Sequence, residues 1–501
     1  MAHRPNSSRF ALGAAVKKGV AWSFTARGVT ILANLAASVV LARLLQPEDF
    51  GIFGLAMIFI GIASRFGNLG FGLALIQKKD LRDEHVSSIF VVHLLLFGLI
   101  TGIIISFAPL VGAYFDNPLV GRALRAMAWI FIAHAFSSIA RAILQRRMDF
   151  KSAALSNIVD HVTSTVSSIT LAWLGYGVWS LVYGHIGGSL SSATVMMIKA
   201  RWRPVFRYDH AAMKELFSFG LNIFVKNLLI YVSDKVDYFV IGKQLGPAAL
   251  GFYEKAFNIM DLGIKELSTK IGSGVLFPAF SRIQDDQERL RSAYRKIVLS
   301  LTLVCFPFFF GLYLVSPSAI YVLFGEKWMA SVVPLQILCL AGLFRTHLHI
   351  TGTVINAMGR VAPEVRIRAA AFILLTIGCF IGSFWGIVAV ALAVTATTAI
   401  LMVMMVSYLK TLTGLSWIDF IRPQCAALQS SLFMALIVVV HQRWFEPSLG
   451  LHSVGMLLSS TAVGALSYMA ALWLLRPDPV VSLMRELVGD LRLVFQRTTM
   501  P

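Results

Sequence analysis

Charged residues are scarce in this sequence, and that scarcity excludes an ordinary soluble protein. Only 14% of the 501 residues are Asp, Glu, Lys or Arg, whereas about a quarter are charged in a typical soluble domain. Hydrophobic residues make up 57% of the chain, and an apolar surface of that extent needs lipid as its solvent. The sequence therefore predicts an all-α membrane protein that crosses the bilayer many times, so the usual relation between chain length and number of soluble domains does not apply.

Cysteine is rare as well, and the motifs that carry catalysis or metal binding are missing. Each of the four cysteines lies in or beside an apolar run and none forms a CxxC, which favours buried thiols over disulfides or metal ligands. The chain has no P-loop, HExxH or nucleophile elbow, and His347 and His349 would point to opposite sides of a helix. We therefore predict a protein that is not an enzyme and needs no metal or cofactor.

Apolar runs of membrane length fill most of the chain, and a spanning helix needs about 20 such residues. We predict about fourteen spans, at residues 19–44, 50–74, 86–112, 119–145, 152–174, 177–199, 216–242, 248–275, 294–316, 332–357, 366–384, 386–409, 423–442 and 452–475. The tight pair at 366–409 leaves an odd total open, which would place the C-terminus outside. We expect a short amphipathic helix at 281–296, a longest external loop at 317–334, and an amphipathic tail at 480–497 that lies on the membrane surface or caps the bundle.

The basic residues predict the orientation of these spans. With the N-terminus inside, the cytoplasmic segments hold 29 Lys and Arg residues and the external segments hold five. This asymmetry predicts an even number of spans in the bacterial inner (plasma) membrane, with both termini in the cytoplasm. It also accounts for most of the net charge of +19, so we expect no nucleic-acid partner.

An internal repeat divides the chain. Four residues of the segment between the first two spans recur at an offset of 200 between spans seven and eight. The matched pairs are Leu45 and Leu245, Pro47 and Pro247, Gly51 and Gly251, and Phe53 and Tyr253. Because both segments join an odd-numbered span to the next one, the two halves run in the same direction. We predict two pseudo-symmetric six-helix lobes, residues 1–200 and 201–412, with an appended helix pair and cytoplasmic tail at 413–501.

Polar residues form stripes at helical spacing on several spans, and such residues usually face the bundle interior or a water-filled cavity. In span ten the stripe is Arg345, His349, Gly352 and Asn356. The residues that we predict to line a cavity or to balance its charge are Asn34, Asn68, Asp160, His161, Asp234, Asp237, Lys255, Asp261, Glu266, Arg345 and His349. The alternative is that the small polar residues join neighbouring helices and that the charges are locked in salt bridges.

Four segments carry a resemblance to a known family. They are VVLARLLQPEDFGIFG at 39–54, FGLALIQ at 71–77, QRRMDFK at 145–151 and DKVDYFVIG at 234–242. On these segments the chain resembles the polysaccharide-transport family of the multidrug/oligosaccharidyl-lipid/polysaccharide flippase superfamily, and within it the lipopolysaccharide and colanic-acid-type exporters. The resemblance implies two lobes around a central cavity, alternating access, and export of an oligosaccharide on an undecaprenyl diphosphate carrier for surface polysaccharide biosynthesis.

The resemblance also implies cavity cations in spans one, two and eight, which match Arg27, Arg65 and either Lys255 or Lys265. Counted along the spans, Arg27, Arg65, Lys226 and Lys265 lie roughly 12–15 Å below the cytoplasmic boundary, so we predict that these four bind the diphosphate. Expected partners are this lipid-linked substrate, membrane lipids, and a polysaccharide polymerase and glycosyltransferases.

Two alternative functions stay open at this point. One is a cation-coupled small-molecule antiporter of the same superfamily, which the appended helix pair and the basic cavity disfavour. The other is a non-transporting scaffold or polymerase of an envelope polysaccharide assembly. Polymerases of that kind usually carry a large external loop, and the longest external loop predicted here is short.

Overall fold

A computed structural model of the chain describes residues 34–67, 75, 82–210, 228–264, 276–450 and 452–475. These residues form helices joined by short turns, and they contain no strand. The helices are α1 (Asn34–Leu44), α2 (Pro47–Gly67), α3 (Asp83–Tyr114), α4 (Pro118–Met127), α5 (Ile130–Arg146), α6 (Phe150–Trp173), α7 (Val178–Ala200), α8 (Val236–Gln244), α9 (Gly246–Ile264), α10 (Phe277–Arg282), α11 (Gln287–Phe324), α12 (Val332–Ala357), α13 (Val361–Ser383), α14 (Ile387–Thr413), α15 (Trp417–Leu449) and α16 (Val454–Leu475).

Within the described ranges, ten helices are long and apolar enough to cross a membrane, with α4 and α5 together counted as one. Four of the predicted spans have no counterpart among these ten. Three of them, at 19–44, 216–242 and 248–275, lie partly outside the described residues. The fourth corresponds to α6. This helix is 24 residues long, but it contains polar residues such as Asp160 and His161. The close pair predicted at 366–409 is two separate helices, α13 and α14.

The two loop predictions around α11 are wrong. The segment 287–296 is the start of this 38-residue helix, and not a separate amphipathic helix. Its first turn is capped by the Asp286 carboxylate, which accepts a hydrogen bond from the Arg289 backbone N–H at 3.1 Å. At the other end, Pro317 lies inside α11, which continues to Phe324. Only Gly325, with φ 94°, and a 3₁₀ turn at Glu326–Ser331 separate α11 from α12, because the apolar stripe continues past the proline.

Helices α2 and α9 cross at their N-terminal ends, and this crossing has the reciprocity expected of the repeat. A Cβ atom on Gly51 would overlap the Pro247 carbonyl oxygen, and one on Gly251 would overlap the Pro47 carbonyl oxygen. The absence of side chains at the two glycines therefore lets the two backbones touch. The repeat matches Gly51 with Gly251 and Pro47 with Pro247. The contact of Gly51 with Pro247 and that of Gly251 with Pro47 are therefore formed by equivalent atoms of the two segments.

Long polar side chains fasten the same end of the bundle. The Arg43 guanidinium donates to the carbonyl oxygens of Leu323 at 3.1 Å and Val322 at 2.5 Å. The Trp328 indole N–H donates to the Ala42 carbonyl oxygen at 2.9 Å. These bonds join the segment between α1 and α2 to the end of α11 and its 3₁₀ turn. Further along the chain, α15 and α16 pair with each other and pack against α11.

Candidate functional site

A polar cavity lies within the C-terminal half of the chain. It has a volume of about 330 Å³ and is bounded by the turn before α8 and by α9, α12, α13 and α14. All four residues of the polar stripe of α12 line it. The ionisable residues around it are Asp234, Asp237, Arg345, His349, Glu364 and Arg368. An apolar bundle with this many ionisable groups around one space must pair them or hydrate them, because an isolated charge is costly in a membrane interior.

The helix that leads into α8 is interrupted at the edge of this cavity. Residues 228–233 are helical, Asp234 and Lys235 form a turn, and α8 begins at Val236. The Arg345 guanidinium of α12 donates to the Asp234 carboxylate at 3.3 Å, with 19% of the arginine side chain and 51% of the aspartate side chain exposed. Arg345 also lies 5.0 Å from the centre of the Phe257 ring. The arginine is therefore held between a carboxylate and an aromatic face.

Two further aspartates lie close to Arg345. Asp237 is 3% exposed, and its carboxylate accepts hydrogen bonds from the Tyr253 hydroxyl at 2.7 Å and from the Tyr238 backbone N–H at 2.9 Å. Asp261 is 8% exposed and interacts electrostatically with Arg345. The structure thus brings together Asp234, Asp237, Asp261, Arg345 and His349, and the arginine interacts with the carboxylates around it.

One ion pair of this cavity was not predicted from the sequence. The Arg368 guanidinium donates to the Glu364 carboxylate at 2.8 Å, and the glutamate side chain is 2% exposed. Both residues lie on α13, which begins five residues before the predicted span. An acid and a base four positions apart are neighbours on a helix, and that spacing is the signal from which this pair can be found.

Arg65 of α2 makes a contact between the two halves of the chain. Its guanidinium carbon lies 3.7 Å from the centre of the Tyr231 ring, and it donates to the Gly61 carbonyl oxygen at 3.0 Å. The Tyr231 hydroxyl in turn donates to the Met57 carbonyl oxygen at 3.1 Å. Within the described ranges Arg65 forms no ion pair. Arg65 is among the residues predicted from the sequence, whereas Tyr231 is not. A helical projection separates polar from apolar residues and does not identify an aromatic partner.

Lys255 lies away from the polar cavity, in a cage of aromatic rings. It is 6% exposed, and its ammonium nitrogen lies 4.2 Å, 5.0 Å and 5.1 Å from the ring centres of Phe50, Phe324 and Trp328. It also donates to the Ser38 hydroxyl at 3.2 Å. Between Lys255 and Lys265 as the eighth-span cation, this enclosure disfavours Lys255 as a group that contacts substrate.

The remaining described candidates lie in the N-terminal half. Asp160 of α6 is half-buried and interacts electrostatically with Arg141 and His185. His161 is exposed, and Asn34 is exposed at the start of α1. The structure does not bring these three residues to the cavity around Arg345.

Five candidates lie outside the described residues: Arg27, Asn68, Lys226, Lys265 and Glu266. The predicted diphosphate site of Arg27, Arg65, Lys226 and Lys265 therefore stays a prediction of which Arg65 alone is described. Among the described residues, no group of three or more His, Cys, Asp or Glu side chains is placed to hold a metal ion. The cysteines Cys305, Cys339 and Cys379 are buried free thiols, whereas Cys425 is exposed.

The helices and their buried charges define a multi-pass membrane protein. Among solved structures, the chain matches "Lipid II flippase MurJ, inward closed conformation" with a TM-score of 0.72, over 90% of this chain and 99% of that one. The sequence identity is 16%, so the likeness shows a shared fold and no more.

Sequence comparison identifies the family of this multi-pass membrane protein. The family described as "Polysaccharide biosynthesis protein" matches residues 40–333, which is more than half of the chain, and the chain belongs to it. The "Lipopolysaccharide biosynthesis protein WzxC" of Escherichia coli (strain K12) is 26% identical, over 68% of this chain and 70% of that protein. The "Succinoglycan biosynthesis transport protein ExoT" of Rhizobium meliloti (strain 1021) is 24% identical, over 90% of this chain and 92% of that protein.

Proposed function

We propose that this chain is a flippase that carries an undecaprenyl-diphosphate-linked oligosaccharide across the inner membrane for surface polysaccharide biosynthesis. The observation that carries the proposal is membership of the polysaccharide biosynthesis family by a chain with a transporter fold and ten helices of membrane length. A relative that spans almost the whole chain is named a transport protein of succinoglycan biosynthesis, which supports movement of a glycan rather than its synthesis.

The proposed architecture is two six-helix lobes, 1–200 and 201–412, with the helix pair at 413–501 appended and both termini in the cytoplasm. The reciprocal contact of the Gly51 and Gly251 segments supports the pseudo-symmetry. Arg43, Lys243 and Lys327 are three of the five basic residues that the charge count places in external segments, and their contacts near the α2–α9 crossing are consistent with one common end. Lys327 donates to the Arg43 carbonyl oxygen at 3.0 Å, and Lys243 pairs with Asp116, which follows α3, at 2.7 Å.

The proposed diphosphate site is formed by Arg27, Arg65, Lys226 and Lys265. Arg65 supports this proposal because its guanidinium is stacked on an aromatic ring and is not neutralised by a described carboxylate. A stacked guanidinium keeps its N–H groups at the ring edge, from which it can bind phosphate oxygens as a bidentate donor. Arg345 is proposed to have a different role, because Asp234 already pairs with it.

The alternating-access mechanism is proposed from the contacts that α2 makes with the C-terminal half near its two ends. The outer crossing of α2 and α9 closes one end of the interface between the lobes. The substrate would enter from the cytoplasmic end, bind the cations through its diphosphate, and leave after the outer crossing parts. A polysaccharide polymerase and glycosyltransferases are the proposed partners, because the oligosaccharide must be made before transport and polymerised after it.

Deletion of the gene tests the proposed function. The expected result is that surface polysaccharide is lost and that lipid-linked oligosaccharide accumulates in the cytoplasmic leaflet, where an impermeant glycosidase added outside to intact spheroplasts does not reach it. Complementation with the unchanged gene is the control. If the oligosaccharide reached the outer leaflet unpolymerised, the scaffold or polymerase alternative would be correct. If surface polysaccharide were normal without a compensating homologue, the flippase proposal would be wrong and the antiporter alternative would gain.

A further inference from the structure

A second polar pocket lies at the end of the N-terminal half opposite the α2–α9 crossing. It has a volume of about 730 Å³, and it is formed where α3 begins, where α5 and α7 end, and along the extended segment that follows α7. The arginines that line it are Arg146, Arg147, Arg201, Arg203 and Arg207. Asp83 and Glu84 are the acidic residues of its lining, so the pocket carries three positive charges in excess.

The segment that supplies three of these arginines is held in place on α3. The Asp209 backbone N–H donates to the Ser88 hydroxyl at 2.8 Å. Phe90 of α3, which is 0% exposed, has its ring centre 5.1 Å from that of Trp202 and 5.5 Å from that of Phe206. These contacts anchor the segment on both sides of Arg203, so the pocket is a fixed structure and not a chance meeting of surface side chains.

The five arginines divide into two groups by what they bind. Arg146 donates to the Leu75 carbonyl oxygen at 3.0 Å, and Arg147 donates to the Ala200 carbonyl oxygen at 2.8 Å. These two satisfy backbone groups and help to build the pocket wall. Arg201, Arg203 and Arg207 are exposed, and they form no ion pair with any described residue. Their guanidinium groups are therefore free to bind an anion.

Apolar residues alternate with these arginines. Val205 is 53% exposed and Phe206 is 72% exposed, and both lie between Arg203 and Arg207. A segment with exposed apolar side chains beside basic ones is typical of the membrane interface, where the apolar groups enter the acyl region and the cations meet phosphates. This arrangement favours a phosphate that is attached to a lipid over one that is dissolved in water.

We propose that this pocket binds the phosphate group of a lipid at the inner surface of the membrane. Guanidinium groups suit this ligand because each presents two parallel N–H donors to two phosphate oxygens. Two lipids carry the required chemistry, an anionic membrane phospholipid and the diphosphate-linked carrier itself. The assignment to the inner surface rests on the proposed orientation, whereas binding of lipid phosphate can be measured whether or not the chain transports anything.

The test measures lipid binding to the purified full-length chain in nanodiscs by native mass spectrometry. One arm titrates phosphatidylglycerol against phosphatidylcholine, and the other titrates undecaprenyl diphosphate. The variant Arg203→Gln/Arg207→Gln is expected to weaken binding about tenfold, because it removes two charge-assisted contacts. The matched control is Arg360→Gln/Arg366→Gln, which removes two exposed arginines that the structure places between α12 and α13 and on α13.

Each outcome decides a question. Weakened binding of phosphatidylglycerol alone assigns the pocket to a membrane phospholipid, and weakened binding of undecaprenyl diphosphate assigns it to the carrier. Equal binding by the variant and the control in both arms overturns the proposal. If Arg203→Gln/Arg207→Gln does not accumulate, Asp83→Asn/Glu84→Gln replaces it. That variant makes the pocket more basic, so it should bind lipid phosphate several-fold more tightly, and unchanged binding would overturn the proposal equally.

Discussion

Helix α2 contacts the C-terminal half of the chain with different kinds of atoms near its two ends. Near its start, Gly51 brings backbone against the backbone of Pro247. Near its end, Arg65 and Gly61 meet the side chain of Tyr231. Backbone packed against backbone has little freedom to adjust, since close-packed interiors transmit strain. A guanidinium on a ring can slide or turn with a modest change in energy.

This difference indicates how the two halves can move relative to one another. The contact at the start of α2, which the proposed orientation places on the outer side, has little room to adjust because two backbones touch there. The inner contact can be remade with another partner, and a phosphate is a stronger partner for Arg65 than a tyrosine ring. If the proposed diphosphate site is correct, a substrate that takes Arg65 from Tyr231 would weaken the contact at the end of α2 and leave the Gly51 contact unchanged.

The largest expected effect is at the inner contact. Arg65→Ala should abolish export while the protein still inserts and accumulates, since a hydrogen bond to a charged group contributes about 1.5–3 kcal/mol. Arg65→Lys should retain partial export because it keeps the charge and loses the bidentate geometry. Export of surface polysaccharide and the amount of membrane-inserted protein are the measurements.

Arg122→Ala is the control for these variants, because Arg122 is an exposed arginine on α4. Full export by Arg65→Ala would remove Arg65 from the proposed diphosphate site. It would also remove the contrast between an adjustable inner contact and a fixed outer one.

A smaller effect is expected at the outer contact. Gly51→Ala and Gly251→Ala each place a methyl group against a proline carbonyl oxygen of the opposite helix, and overpacking of this kind costs about 1–3 kcal/mol. Both variants should lower the thermal stability of the purified protein and reduce export, by similar amounts because the two contacts are equivalent.

Gly98→Ala is the matched control, since a Cβ at Gly98 would meet nothing within 4 Å. If all three variants behaved alike, the crossing would not be the tight contact that the structure describes. If Gly51→Ala and Gly251→Ala differed greatly, the pseudo-symmetry would not extend to the energy of the contact.

Reporter fusions test which end of the bundle is which, and their readout is the location of the reporter rather than export. Fusions after Gln77, Arg147, Arg207, Gln287 and the C-terminus are expected to report the cytoplasm, because Lys and Arg are concentrated in these segments and basic segments are usually retained on the cytoplasmic side. A fusion after Gly450, in the connection between α15 and α16, is expected to report the outside. An external signal at the C-terminus would mean that the number of spans is odd.

Local sequence patterns predicted the helical class and the equivalence of two crossing helices. The match between the two segments is visible in the sequence, and Gly51 and Gly251 each lie against the proline of the other segment. The long-range pairs were beyond these patterns. Arg345 meets Asp234 from 111 residues away, and Lys255 meets rings from three separate elements. A helical projection gives the direction of a side chain and not the identity of its neighbour.

The errors at α11 have a related cause. The external loop predicted at 317–334 begins at a proline that lies inside α11, and a proline can lie inside a membrane helix when neighbouring groups satisfy the freed carbonyl. The segment 281–296 is predicted as a separate helix because its charges interrupt the apolar run. Leu290 and Tyr294 nevertheless continue the buried face into the span. The helical spacing of buried residues across the start of the predicted span indicates a continuous helix, whereas the change in composition there does not.

The turn at Asp234 and Lys235 limits the surfaces that this protein can show to lipid. Where a helix is interrupted, carbonyl and amide groups lose their intrahelical partners, and hydrocarbon offers no replacement. Here the interruption is covered by the charged side of α12 and the aromatic face of α9. The N–H groups of Asp234 and Lys235 keep partners in the preceding turn, the carbonyl oxygens of Ile230 and Val232. A conformation that drew α12 away would therefore leave the Asp234 carboxylate without its cation. The interrupted helix, α9 and α12 are therefore expected to stay together when other parts of the molecule move.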